Sequence, residues 1–376
     1  MKLFFQPSDF LFFRDNKPFA AGENYGGKSR ELPPPSVLYG AIRTWLLQDN
    51  DIALDKFGRL GKLADISDPV IRVTGTKSES GTLQIKGPFF ANQKPAGVES
   101  YFPQPLDLVK YKATKASSDK PFFRSLQPKK LDNYLANWRG LNLSPLLPTG
   151  ELADDEVTGG FLSKVALEAY LEGRSIARIN TIDAMIESES RIGIAVGKEG
   201  VTQSGQFYTL QGNRFVDGYG LAVDIEGLNG INLATQGLRQ LGGERRFGFL
   251  TEIADEIAPQ APEIIGNKFK LALATPAIFE GGWLPSWIDR TSGEGSFSGL
   301  KVRLVAAAVG RAETISGFDM ALGRPKPIRK AVPAGSVYYF ELLEGAATEI
   351  VNIIHNQTIS DELAHAGFGL AFVGSW

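Results

Sequence analysis

The sequence contains no cysteine. Disulfide frameworks, thiolate zinc sites and thiol nucleophiles are excluded together, and a reducing compartment is expected. Histidine is nearly absent as well: His355 and His365 are the two in 376 residues, and neither lies in a catalytic motif. There is no GxSxG elbow, since Ser296 and Ser298 between Gly295 and Gly299 have the wrong spacing. There is no Walker A loop, and Gly218 and Gly220 lack the third glycine that lets a helix pack close to a dinucleotide. The acidic group Glu151, Asp154, Asp155 and Glu156 lacks the alternating ligand spacing of a calcium loop and reads as solvated. No catalytic residue, metal or cofactor is expected.

Long apolar runs are also missing. None approaches the roughly 20 residues that span a bilayer. Pro7, Asp9, Arg14 and Asp15 interrupt what would be the apolar region of a signal peptide. A cytoplasmic protein without a membrane partner is the expectation. An excess of positive charge is absent too, with 40 basic and 42 acidic side chains and a formal net charge of −2. A protein that holds nucleic acid by bulk charge is usually far more basic. Any such function must use local patches or share its ligand with partners.

Glycine is abundant. The 42 glycines exceed the roughly 26 of an average composition, which favours strands and turns over a helical bundle. Residues 2–6 read as a first strand and 10–27 as a loop. Pro33-Pro34-Pro35-Ser36 precedes Leu38, Ile42, Trp45 and Leu46 at helical spacing, which predicts a helix over 37–48 capped by Ser36. Strands are predicted over 70–75, 82–90, 191–196, 206–225, 268–273, 302–309 and 336–343, and a helix over 161–172. The stretch 105–132 carries seven basic and three acidic residues and reads as a long inserted loop, ordered on binding. Ser360 is expected to cap a short helix that Gly367 stops.

A weak internal repeat runs helix, glycine turn, strand. Its first copy is a helix over 233–240, then Gly242-Gly243, then Phe247–Leu250; its second passes through Gly367 and Gly369 into Leu370–Val373. A βαββαβ ferredoxin-like unit ends in this way. The expected fold class is α+β, with two such units. The first runs over 1–257 and is swollen by insertions at about 90–185; a linker follows at 258–266 and a second unit at 267–376.

Three basic groups suit phosphate. Arg324-Pro325-Lys326-Pro327-Ile328-Arg329-Lys330 holds four cations in an extended, proline-bearing run, although a solvated loop fits equally. Gly242 and Gly243 precede Arg245 and Arg246, which brings backbone N–H groups and guanidinium forks together. Lys28, Arg30 and Arg43 form a third group around the first helix, for which exposed charge is the plainer reading.

Several blocks, in order along nearly the whole chain, resemble a known family. They are Phe12–Glu23, Pro33–Thr44, Glu189–Ile194, Leu241–Arg245, Ile315–Met320 with Arg324–Pro327 and Ala331–Val337, and Gly367–Trp376. They are similar to the third subunit of the Cmr complex, the type III-B CRISPR effector, within the RAMP superfamily. Phe318 stands where that family has tryptophan, and residues 105–160 carry no resemblance. The resemblance implies two RRM-like ferredoxin folds and a non-catalytic scaffold in antiviral defence. Its implied partners are the crRNA 5′ handle, the large polymerase-like subunit and neighbouring RAMP backbone subunits. It also places RNA contacts around the glycine turns, Gly367 and Gly369 included, and a shared RNA explains the near-zero net charge. Two alternatives stay open: a crRNA-processing endoribonuclease with His365 as base, and a protein-binding assembly factor using Phe10, Phe12, Phe13, Phe19 and Tyr25.

Overall fold

The computed structural model describes residues 1–14, 26–54, 68–76, 79–113, 120–130, 141–153, 159–196, 202–243, 245–319 and 323–376. Expectations on Phe19, Tyr25 and Asp154–Glu156 lie outside them. The chain is rich in strands with few helices, an α+β composition, and forms two compact units. The first comprises 1–99, 183–255 and 314–328; the second comprises 100–182, 256–313 and 329–376.

In the first unit the elements are β1 (Lys2–Pro7), β2 (Gly26–Lys28), β3 (Gln84–Lys94), β4 (Ile186–Val196), β5 (Thr202–Phe215), β6 (Tyr219–Glu226), β7 (Gly237–Gln240) and β8 (Phe247–Glu252), with α1 (Pro35–Asp49) and α2 (Pro69–Thr74). Strands β7, β8, β1, β6 and β3 lie side by side in that order, each antiparallel to its neighbour. Leu3, Phe4 and Phe5 of the central β1 are all buried. The helix begins at Pro35 and not after Ser36: Pro34 is the N-cap, and a proline at the first helical position gives up only an N–H that no helix would use. Its apolar face puts Trp45 flat against Phe5, ring centroids 6.4 Å apart, with the indole N–H donating to the Gln240 carbonyl.

Two expectations for this unit fail. Residues 70–74 are helical, not extended, because the Asp68 carboxylate accepts the Val70 N–H (2.8 Å) and Pro69 starts the turn. Residues 233–240 form no helix. Strand β7 pairs with β8 in a hairpin, so the first copy of the repeat is strand, glycine turn, strand. The stretch 206–225 is two strands broken by the turn at Gly218 (φ 79°), and β4, β5 and β2 make a separate three-stranded sheet.

In the second unit β9 (Lys268–Leu273), β10 (Glu294–Phe297), β11 (Leu300–Ala308), β12 (Val337–Glu344), β13 (Gln357–Thr358) and β14 (Leu370–Ser375) form a sheet in the order β10-β11-β12-β9-β14-β13. Its helices are α3 (Lys164–Leu171) and α4 (Ala347–Ile354). Alternation along the strands gives each face its own cover. Phe269, Leu271, Tyr338, Phe340 and Val373 pack with Ile350 and Ile354 of α4. On the other face Phe372 meets Phe102 edge-on, and Lys270 lies under Tyr170 of α3.

The expected helix over 161–172 is a strand (Phe161–Ser163) followed by α3, whose first turn Ser163 caps. The segment expected as a loop awaiting a partner already carries the antiparallel pair Leu108–Tyr111 and Phe122–Ser125; 114–119 and 131–140 lie outside the described residues. Ser360 caps no helix: its hydroxyl closes onto the Ile278 backbone, and only a 3₁₀ turn, Ala364–Ala366, precedes Gly367. Of the expected linker, Ile264 sits in the core of this unit.

Candidate nucleic-acid interface

Three arginines of the first unit converge on one carboxylate. Asp9 accepts from Arg191 (2.7 Å), Arg214 (3.0 Å) and Arg246 (2.8 Å). Glu189 accepts from the Nε–H groups of Arg191 (2.7 Å) and Arg214. Burial pushes the Asp9 pKa up, but the Phe10 N–H and the arginines outweigh it and hold the carboxyl below its usual range. Hydrogen bonds from Arg214 and Arg191 hold Glu189 down in the same way. The guanidiniums of Arg191 and Arg246 both lie over the Phe10 ring, with 3.9 and 4.2 Å from each Cζ to its centroid. Gly212 makes this possible, because a Cβ there would stand 1.9 Å from Phe10 Cδ2.

This arrangement fixes the β7–β8 turn. The Leu241 N–H donates to the Arg246 carbonyl and the Gly243 N–H to the Phe12 carbonyl, both at 3.0 Å. Gly242 (φ 84°) and Arg245 (φ 52°) take left-handed backbone. Arg246 is thus held inward by Asp9, while Arg245 is exposed. The two arginines read as one phosphate fork have different tasks.

The other candidates divide similarly. Lys28 is exposed at an open cleft of about 330 Å³ lined by Gly26, Gly27, Thr209 and Gln211. Arg30 donates to the Thr314 carbonyl (2.5 Å). Arg43 is no surface charge: it donates to the Gly75 carbonyl at 3.3 Å, and burial lowers its pKa. Arg324 and Lys326 are exposed in the first unit, where the backbone of Asp319 pairs antiparallel with that of Arg324. Arg329, in the second unit, binds the Glu362 carboxylate; Lys330 is exposed. Gly367 (φ 89°) and Gly369 (φ 73°) are buried. The Gly367 carbonyl accepts from Thr275 (2.6 Å), and the Gly369 N–H donates to the Pro276 carbonyl (2.8 Å), so this turn spends its backbone groups inside the unit.

His355 bridges the Pro259 carbonyl (2.9 Å) and the Val373 N–H (3.2 Å), and burial lowers its pKa. His365 lies in the 3₁₀ turn. Phe10, Phe12 and Phe13, offered as an interface patch, are buried core residues. Among the described residues, no three His, Cys, Asp or Glu side chains gather as a metal site, and no helix is long and apolar enough to cross a membrane.

No curated protein sequence matches this chain. Among solved structures, a chain of "Cryo-EM structure of the Type III-B Cmr-beta bound to cognate target RNA" aligns with a TM-score of 0.51 at 15% identity, covering 90% of this chain and 86% of that one. The related structure with AMPPnP, state 1, gives a TM-score of 0.49 at the same identity and coverage. A chain of the Csm3-Csm4 subcomplex of the type III-A interference complex gives 0.36 at 12% identity, covering 91% and 93%. The first of these supports a shared fold. A family model described as "CRISPR-associated protein (Cas_Cmr3)" matches residues 3–376. With the match spanning almost every residue, the chain belongs to the Cas_Cmr3 family of CRISPR-associated RAMP proteins.

Proposed function

We propose that this chain is a non-catalytic, RNA-binding subunit of a type III-B Cmr effector in the cytoplasm. It holds the 5′ handle of the crRNA and docks the large polymerase-like subunit beside neighbouring RAMP backbone subunits. The observation that carries the reading is the β7–β8 turn: two glycines and the exposed Arg245, stiffened from beneath by Arg246 on Asp9. The exposed Arg245 guanidinium, at a turn whose Gly243 N–H is already held by the Phe12 carbonyl, suits a phosphate oxygen.

Strand order supports two ferredoxin-like units. In each, the four main strands in chain order lie as fourth, first, third, second: β8-β1-β6-β3 and β14-β9-β12-β11. The first unit keeps the helix after its first strand, α1, and the second keeps the helix after its third strand, α4. In chain order the domains are drawn at 1–257 and 267–376, with 258–266 between them.

The test is isolation of the native complex through a tag on this chain. Sequencing of bound RNA should return handle-bearing crRNA, and the large subunit should co-purify. Replacing Arg245, Arg324 and Lys326 with Ala should reduce the log–log salt slope of RNA binding by about 0.7 for each phosphate no longer neutralised. A complex without RNA would overturn the reading. Specific scission of repeat RNA in EDTA, abolished by His365→Ala, would overturn its non-catalytic part.

A further inference from the structure

Strand β8 and the residues leading into it read Arg245-Arg246-Phe247-Gly248-Phe249-Leu250-Thr251-Glu252. Base-stacking RRM strands follow the pattern basic, glycine, aromatic, glycine or alanine, phenylalanine, valine, any, aromatic. This segment departs from it in Arg246 for the glycine, Leu250 for the valine and Glu252 for the last aromatic, and keeps the basic residue, the first two aromatics and the small residue between them. The pattern has a geometric reason. Alternate residues of a strand face opposite sides, so the two aromatics share the open face while the small residue between them lets the sheet pack behind.

Strand β8 is built that way. A Cβ at Gly248 would stand 2.4 Å from the Phe5 ring, which is the ring stacked on Trp45 of α1. Leu250 is buried opposite Phe5 in register. Phe247 and Phe249 alternate with them and therefore stand on the face away from α1, 45% and 49% exposed. They are about 6.8 Å apart along the strand. Leu238, paired with Phe249 on β7, extends the surface, and the exposed Arg245 stands at its head. Among the described residues of the second unit, both faces of the sheet are covered.

We infer that Phe247 and Phe249 are a stacking platform for two unpaired bases of single-stranded RNA, with Arg245 on the adjoining phosphate. This rests on the RNA-binding reading above and adds its mode of recognition. The patch favours RNA over a protein segment by its shape and rim. A docked helix needs a continuous apolar groove, whereas these rings are bounded by Gln6, Thr251 and a cation. Stacking needs only one open ring face per base, with a positive charge near the backbone.

The experiment is fluorescence anisotropy of the full chain with a labelled single-stranded RNA of mixed sequence, and ultraviolet crosslinking in the native complex. Phe247→Ala and Phe249→Ala should each weaken binding about 5- to 100-fold. Their salt slope should stay unchanged, since every phosphate partner is kept. Phe→Leu at either position should lose as much as Ala, and Phe→Trp should retain binding. Crosslinked RNA should map to the tryptic peptide that begins at Phe247. Both side chains are half exposed, so unchanged melting temperatures confirm folding. Wild-type affinity in the Ala variants, or in the Leu variants, would overturn the platform while leaving the RNA-binding reading intact; so would loss of a protein partner with RNA binding unchanged. A wild-type chain that neither binds the oligonucleotide nor crosslinks to RNA in the complex would remove both.

Discussion

Asp107→Asn tests whether residues 105–126 are an integral part of the second unit or a loop that orders on a partner. Asp107 is completely buried and accepts the Tyr170 hydroxyl at 2.7 and 2.9 Å, and the Tyr339 hydroxyl as well. Nearby, Lys270 is completely buried, donates to Ser125 Oγ (3.0 Å) and lies 3.6 Å above the Tyr170 ring. Asparagine keeps the shape and removes the charge. Each hydroxyl then gives up a charge-assisted bond, about 1 kcal/mol apiece, and the buried ammonium is deprived of the anion that steadies its charge. Removing one member of such a buried group costs about 3–5 kcal/mol in all. For a unit of this size that lowers its melting transition by roughly 6–20 °C. Calorimetry reads the shift, and amide exchange at Leu108–Tyr111 and Phe122–Ser125 should accelerate with it. The double variant with Lys270→Met should be less destabilised than the two single variants together. A shift under about 2 °C, or additivity in the double variant, would refute the argument and leave the segment only loosely attached.

Much of the fold was legible where local chemistry and tertiary context agree. The three prolines before a helical apolar stripe placed α1, the polar–apolar alternation of Lys268–Leu273 placed β9 to the residue, and Gly367 does take the left-handed backbone that stops a turn. Failures came where one signal hid another. Val70, Ile71 and Val73 look like a strand by propensity, yet the Asp68-Pro69 start decides for a helix. Residues 233–240 read as a helix in the sequence, but Leu238 is 68% exposed and belongs to a hairpin. Helix α4 was overlooked although Ile350 and Ile354 stand four apart and Glu349 accepts the Ala346 N–H.

The site divides in the same way. The Asp9 cluster joins groups 182 to 237 positions apart, and no local pattern reports such a meeting. Without it, Arg245 and Arg246 look equivalent. The aromatic pair is different: its alternation is written in five consecutive residues and needed only the question of which face each one takes.

Gly212→Ala should destabilise the first unit by about 1–3 kcal/mol, read by denaturant unfolding, because a methyl group there overlaps the Phe10 ring and lies 2.9 Å from the Leu11 carbonyl. Unchanged stability would show that the ring can leave its place under the arginines. The last prediction concerns pH. Burial lowers the Lys270 pKa from 10.5 to about 8, with the Asp107 charge opposing it. Between about pH 8 and 10 the unfolded chain holds that proton and the folded chain has released it, so unfolding takes up a proton and stability rises with pH. At about 1.4 kcal/mol per pKa unit the full gain is about 3–4 kcal/mol. Above about pH 10 the sign reverses. Burial keeps Tyr170, Tyr338 and Tyr339 protonated in the fold while their unfolded counterparts ionise, so stability then falls. The second unit should therefore melt highest near pH 10 in the wild-type chain. Lys270→Met should abolish the rise between pH 8 and 10 and keep the fall above it. A rise that survives in the Met variant would assign it to another group and refute this account of Lys270.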